Sequence, residues 1–282
     1  MSGKFLSKLL EAFADHREQR EIIYEGDSHF HHITIREESG KRTMYFGPCG
    51  EEAETSIDMV NPDQAVFEYP GMMLAALPLQ PEGRRVLMLG LGGGFLPRLF
   101  QRHLPQYELT VVEVDVLVAE LAQTYFGFES GGNVNLVIGD GREYIEKMEP
   151  SSVDQIWLDA FSGDYVPPQL TGLEFLTLCK SRLTPGGLVV QNLHQSRPRI
   201  FHNQLKTAEA AFESVLSLEG QRCGNAIIIG RKPGGPPGPG WKPADLLKAA
   251  KSFGPRLGPY DLTVEMRKYK KFTPNAGAVI LE

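Results

Sequence analysis

The stretch Val86-Leu87-Met88-Leu89-Gly90-Leu91-Gly92-Gly93-Gly94 decides how the rest of the chain is read. Four apolar residues stopped by a glycine suit a strand buried on both faces, as parallel strands are. Glycines after such a strand let the backbone turn tightly and approach a ligand with no Cβ in the way. The helix that follows offers N–H groups with no partner inside the helix. Downstream the alternation repeats. Residues 109–114, 135–138, 154–158 and 188–192 read as strands, and 116–126, 142–148 and 201–215 as helices. Thr171 and Glu174 have capping-box spacing and open a further helix to about residue 183. Strands near 216–222 and 225–230 complete the series. Strands alternating with helices predict a mostly parallel sheet covered on both faces, an α/β fold.

On the N-terminal side, Phe5, Leu6, Leu9, Leu10 and Phe13 recur at helical spacing, so residues 4–14 read as a helix. Residues 21–35 and 42–46 read as strands with a turn at Ser39-Gly40, a small β-hairpin layer. Residues 64–79 read as a helix ending near Pro78. On the C-terminal side, residues 233–243 hold nine Pro or Gly in eleven positions and read as a linker or lid edge. Residues 244–252 read as helical, and 278–281 as a short apolar segment. The expected organisation is 1–63 for the N-terminal helix and β-layer, 64–232 for a catalytic domain, and 233–282 for the linker and a basic tail. No internal repeat is visible.

Composition narrows the class. The 282 residues are 41% hydrophobic with a net charge of −6, which fits a folded core and excludes a disordered chain. Apolar runs fall short of the roughly 18 residues a membrane helix needs, and no secretory pattern opens the chain. Cys49, Cys179 and Cys223 are scattered, with no CxxC, so neither a disulfide framework nor a zinc site is expected. A reduced, cytoplasmic location and no metal follow as expectations. The charge is uneven: residues 231–282 carry ten Lys and Arg against four Asp and Glu, the rest 19 against 31. The basic tail either docks on its own acidic body or meets an anionic partner.

In an open α/β sheet, ligands bind outside the carboxyl ends of the strands. Four predicted strand ends carry chemistry: Gly90 to Gly94, Glu113, Asp140 with Gly141, and Asp159. Any one of the acids could simply cap a helix. Three acids and a glycine loop in order, each at a strand end, point to a site. The glycine spacing departs from GxGxxG, and no GxxxxGK[ST] exists, so neither a dinucleotide fingerprint nor a P-loop is present. A glycine loop, an acid that can take two ribose hydroxyls and an Asp for an adenine amino group suit an adenosine without phosphates. That points to an S-adenosyl donor.

At these residues the chain resembles the spermidine synthase (polyamine aminopropyltransferase) family, within the class I S-adenosylmethionine-dependent methyltransferase superfamily. The segment Ser28 to Ile35 is similar to the family's S-x-Y-Q-x-I-x-V strand, and Tyr69 with Met72 to its Y-H-E-M helix. GLGGG, VVEVD, GDGREYI and WLDAFSGDYVPPQLTGLEFL resemble its glycine loop, ribose acid, adenine Asp and catalytic loop. The resemblance implies a Rossmann-like sheet, a homodimer, and donor binding by His31, Gly90, Gly92, Gly93, Gly94, Glu113, Asp140 and Gly141. It makes Asp159 and Tyr69 the catalytic candidates. Tyr69, Asp164 and Tyr165 become the candidates for the acceptor. The chain departs from the family at Gly93 and Ser162, where acids stand, at His31 for Gln, and at Pro70-Gly71 for His-Glu.

A sulfonium donor carries an electrophilic carbon already, so the protein's task is to align an amine and supply it uncharged. A free alkylamine has a pKa near ~10, and a carboxylate such as Asp159 can hold the ammonium and take its proton. An Asp in the glycine loop would repel the carboxylate of S-adenosylmethionine by about 4 kcal/mol at 4 Å and an effective dielectric near 20. With Gly93 there, methyl transfer from S-adenosylmethionine is placed slightly ahead of aminopropyl transfer from the decarboxylated donor. A non-catalytic nucleoside-binding scaffold is the third reading, against which Asp159 speaks. The acceptor is an amine: a small amine, a polyamine or a protein amine. The acidic body argues against nucleic acid as partner, and no membrane is expected. His29, His31 and His32 are better explained by one pocket residue, His31, and two surface residues than by a metal. Arg98 and Arg142 could contact anions or pair at the surface. At the fifth strand end, either Gln191 or Asn192 faces the site.

Overall fold

The computed structural model describes residues 20–47, 52–161, 166–222, 224–235, 238, 240–254, 257, 260–270 and 279–281. The expected helix at 4–14, Cys49, Ser162, Asp164, Tyr165 and Cys223 lie outside them.

The glycine-loop strand is β5 (Arg85–Leu89), with everything after its first residue buried. It sits in an eight-stranded sheet beside β6 (Glu108–Glu113) and β8 (Val153–Leu158). β7 (Val134–Ile138) lies beyond β6, and β9 (Leu183–His194) beyond β8; all four of these pairings are parallel. Past β9 the sheet turns antiparallel through β11 (Asn225–Arg231), β10 (Ser214–Glu219) and β12 (Tyr269–Lys270). The sheet is therefore mixed, and β12 makes it one strand wider than the sequence pattern gave. Chain order reverses at β5, which creates the crevice where such sheets bind ligands.

Helices cover both faces. On one side α1 (Tyr69–Leu74), α2 (Phe95–His103), α7 (Pro243–Phe253) and α8 (Leu262–Met266) share a core that includes Met72, Phe100, Trp157, Leu246 and Met266. On the other, α5 (Leu173–Arg182) and α6 (Pro198–Ala211) pack Phe175, Leu176, Phe201 and Leu205 against Leu87, Leu89 and Ile156. Between β6 and β7 runs α3 (Val116–Phe126), capped by the Asp115 carboxylate on Leu117 N–H at 3.0 Å and ended by Gly127 at φ 66°. Between β7 and β8 lies α4 (Gly141–Lys147). Among the described residues, no helix is long and apolar enough to cross a membrane.

The N-terminal layer is a four-stranded antiparallel sheet: β1 (Glu21–Asp27), β2 (His32–Glu38), β3 (Lys41–Phe46) and β4 (Glu52–Asp58). The run expected as one strand, 21–35, is broken by a turn at Ser28–His31. There Ser28 Oγ accepts the N–H groups of Phe30 at 3.0 Å and His31 at 2.8 Å. β4, not foreseen, extends the hairpin.

The helix expected over 64–79 is confined to α1 and a single 3-10 turn at Leu77–Leu79. Residues 63–65 are held by the C-terminal segment: Ala65 N–H donates to Tyr260 Oη at 2.8 Å, and Tyr260 donates to the Asp63 carbonyl at 2.8 Å. These long-range bonds outweigh local helix propensity. The capping box at Thr171 does not form. Its hydroxyl donates to the Pro168 carbonyl at 2.8 Å, and Gly172 stands at the helix start instead. Among the described C-terminal residues, one basic side chain is packed into this body. Lys268 is buried and pairs with Glu68 and Glu265, both at 2.6 Å.

Candidate functional site

The strand ends of the parallel half and the N-terminal sheet enclose a cavity of about 670 Å³. Its wall includes Gly90, Leu91, Gly92, Glu113, Asp140, Gly141, Asp159 and Asn192 from the large sheet. His31, Phe46, Glu54 and Thr55 come from the small one, and Phe67 and Tyr69 from the approach to α1. Gly93 and Gly94 are not among the lining residues.

Gly90 shows why the loop begins with glycine. Its φ is 94°, and a Cβ there would strike the Asp159 carbonyl, so β5 and β8 end in direct contact. Asp159 N–H donates to the Leu89 carbonyl at 3.0 Å, which fixes that junction.

Glu113 is buried at the end of β6. Its Oε2 accepts Leu91 N–H at 2.8 Å and its Oε1 accepts Asp115 N–H at 2.9 Å. The carboxylate thereby ties the glycine loop to the next turn. Each oxygen keeps a further lone pair for a ligand hydroxyl. Burial pushes its pKa up, and the backbone N–H donors work against that shift. Asp140 caps α4 by accepting Glu143 N–H at 2.9 Å through Oδ1. It is both a helix cap and part of the cavity wall.

Asp159 faces the cavity, with protein packed around the rest of the group. Burial pushes its carboxyl up to about 7, opposed by one hydrogen bond from Asn192. Asn192 Nδ2 donates to Asp159 Oδ1 at 2.8 Å, and Asn225 Nδ2 donates to Asn192 Oδ1 at 3.0 Å. At the fifth strand end, Asn192 lines the cavity and Gln191 does not.

His31 stacks on Phe46 with ring centroids 4.2 Å apart and 10° between planes. Burial lowers its pKa, which keeps the ring neutral near pH 7. The other two histidines are elsewhere: His32 pairs with Asp27 at 2.7 Å and Glu25 at 3.3 Å, and His29 meets Phe30 edge-on. No group of three metal-ligating side chains occurs among the described residues. Arg98 is buried and donates to the Phe126 carbonyl at 2.5 Å, and Arg142 pairs with Glu146 and Glu174, so both are committed to the fold.

Sequence reasoning missed Glu54, Thr55 and Asn225. The first two lie on a strand that was not recognised. Asn225 comes near Asn192 only through the β9–β11 pairing.

A family model described as "Spermine/spermidine synthase domain" matches residues 68–219. A polyamine aminopropyltransferase of Vibrio vulnificus is 32% identical over 216 residues, 75% of this chain and 72% of the relative. The crystal structure of a probable spermidine synthase from Corynebacterium glutamicum superposes with a TM-score of 0.67 at 25% identity. It covers 82% of this chain and 87% of its own. An eEF1A lysine and N-terminal methyltransferase of Danio rerio is 30% identical over 179 residues, 60% of this chain but 26% of that protein.

Proposed function

Because the chain belongs to the spermine/spermidine synthase family, we propose that it moves an aminopropyl group from decarboxylated S-adenosylmethionine to an amine nitrogen. It is a transferase that draws on a donor derived from S-adenosylmethionine. The observation that carries the aminopropyl reading is the charge of the cavity. The described residues lining it include Glu54, Glu113, Asp140 and Asp159, and none of them is Lys or Arg. The decarboxylated donor bears a sulfonium and an ammonium and no carboxylate, so it suits this wall. S-adenosylmethionine would bring a carboxylate against it.

Gly93 carries no preference for methyl transfer. A Cβ at position 93 would lie 2.5 Å from Thr55 Cγ2 and 3.0 Å from the Phe126 ring. Both neighbours are buried, so packing accounts for glycine there without reference to the donor's carboxylate. The aminopropyltransferase of Vibrio vulnificus also matches along most of its own length, whereas the methyltransferase matches over a quarter of its own.

In this reading Glu113 takes the ribose hydroxyls on its remaining lone pairs. Asp140 accepts from the adenine amino group, and Gly90, Gly92 and Gly141 let the nucleoside lie close to backbone. The neutral His31 ring, backed by Phe46, offers a face without adding positive charge. Asp159 holds the acceptor's ammonium and takes one proton. The free amine lone pair attacks the propyl carbon next to sulfur, the C–S bond breaks, and its electron pair stays on sulfur. The products are the alkylated amine and the thioether 5′-methylthioadenosine. Tyr69 stacks near Phe67, with centroids 6.3 Å apart, and gives the acceptor an aromatic wall. Asp164 and Tyr165 belong to the acceptor side of the proposal on the sequence resemblance, which also carries the proposed homodimer; the proposed cytoplasmic location rests on the scattered cysteines. A polyamine or its diamine precursor is the acceptor class.

Calorimetry with both donors tests the reading. Tighter binding of the decarboxylated donor is expected. Tighter binding of S-adenosylmethionine would overturn it.

A further inference from the structure

Three of the four lining carboxylates come from the large sheet: Glu113 holds the glycine loop, Asp140 caps α4, and Asp159 is held by Asn192. Glu54 differs in origin. Among the described residues it is the lining carboxylate contributed by the N-terminal sheet.

Its placement follows from a break in register. Along β3 and β4, Met44 pairs with Thr55 and Tyr45 pairs with Ala53, so Glu54 is the extra residue of a β-bulge. In a regular strand Glu54 and Thr55 would face opposite sides. A bulge sets two residues against one on the partner strand and re-aims a side chain, and bulges are over-represented beside active sites. Here Thr55 is buried against the glycine loop, 3.8 Å from where a Cβ on Gly92 would sit, while Glu54 lines the cavity beside it. The loop itself cannot supply a carboxylate at position 93, because the Thr55 methyl and the Phe126 ring occupy that space.

We propose that Glu54, carried into the cavity by the bulge in β4, binds the terminal ammonium of the donor's aminopropyl chain and so selects the decarboxylated donor. The proposal rests on the aminopropyl reading above. A carboxylate at this wall pairs with the donor's ammonium and repels a carboxylate on the same chain. One residue thus contributes both attraction and rejection.

The test uses the full-length protein and three nucleosides: the decarboxylated donor, S-adenosylmethionine and 5′-methylthioadenosine, which lacks the ammonium. Binding is measured by calorimetry for the wild type, Glu54→Gln and Glu54→Asp. Glu54→Gln should weaken the decarboxylated donor about tenfold to a hundredfold, the scale of one lost charge-assisted hydrogen bond. It should leave 5′-methylthioadenosine unchanged, which also reports that the site is folded, and should narrow the preference over S-adenosylmethionine. Glu54→Asp should retain part of that preference. Unchanged affinity of Glu54→Gln for the decarboxylated donor would overturn the proposal. An equal loss for 5′-methylthioadenosine would do the same, since it would mean that Glu54 shapes the cavity without reading the ammonium. A wild type with no preference for the decarboxylated donor would instead defeat the donor reading, and this proposal with it.

Discussion

Glu113 and Asp159 end the two strands that flank β5, yet their surroundings differ. Glu113 receives two backbone N–H groups, from Leu91 and Asp115, and through them fixes the loop that would cradle a nucleoside. Asp159 receives one side-chain amide, and burial holds its carboxyl near 7. The same residue chemistry is thus tied to the backbone on one side of the glycine loop and held by a single side chain on the other. Burial pushes both carboxyls up, and the two differ in what opposes it: backbone N–H groups at Glu113, a single side-chain amide at Asp159.

Removing the titrating side should have the largest effect. Asp159→Asn is expected to lower kcat by roughly 10²- to 10⁴-fold, the usual span for a lost general base, with 5′-methylthioadenosine affinity retained. Unchanged turnover would remove Asp159 from the chemistry. Removing the anchor should act on binding. Glu113→Gln replaces an oxygen that accepts a backbone N–H, and donor affinity should fall by about tenfold to a hundredfold in a titration. If turnover with saturating donor collapsed while affinity held, the division between anchor and base would be wrong.

The contrast can also be narrowed. Asn192 stabilises the charged form of Asp159, so Asn192→Leu should push that carboxyl above about 7. The acid limb of kcat/KM should move to higher pH, and a limb that stayed in place would show that Asn192 has no hold on the group. The smallest effect concerns stability. Asp159 binds its proton more tightly in the folded chain than in the unfolded one. Its contribution is therefore fully present below the ordinary carboxylate range and is lost as pH rises through about 7. Asp159→Asn should accordingly melt higher than the wild type at pH 8, with the advantage shrinking toward pH 4. The reverse trend in Tm would contradict the burial argument.

Much of the parallel half was legible because its signals are local. The run before Gly90, and acids at three strand ends, follow from burial on both faces and from strands that stop where ligands bind. The wall opposite was not legible. β4 reads Glu-Ala-Glu-Thr-Ser-Ile-Asp, with no apolar alternation, and only pairing with β3 makes it a strand and sets the bulge at Glu54. Asn225 reaches Asn192 by the antiparallel return of β11, which no periodicity reports. The helix expected at 64–79 failed for a related reason, since Tyr260, distant in sequence, holds residues 63–65. Sequence pattern found what each strand end carries, and long-range pairing decided which side chains meet.

The most direct test is identification of the reaction products by mass spectrometry, with both donors and a set of diamines and polyamines offered together. The account predicts an acceptor heavier by one aminopropyl group and release of 5′-methylthioadenosine. A methylated acceptor with S-adenosylhomocysteine would contradict it.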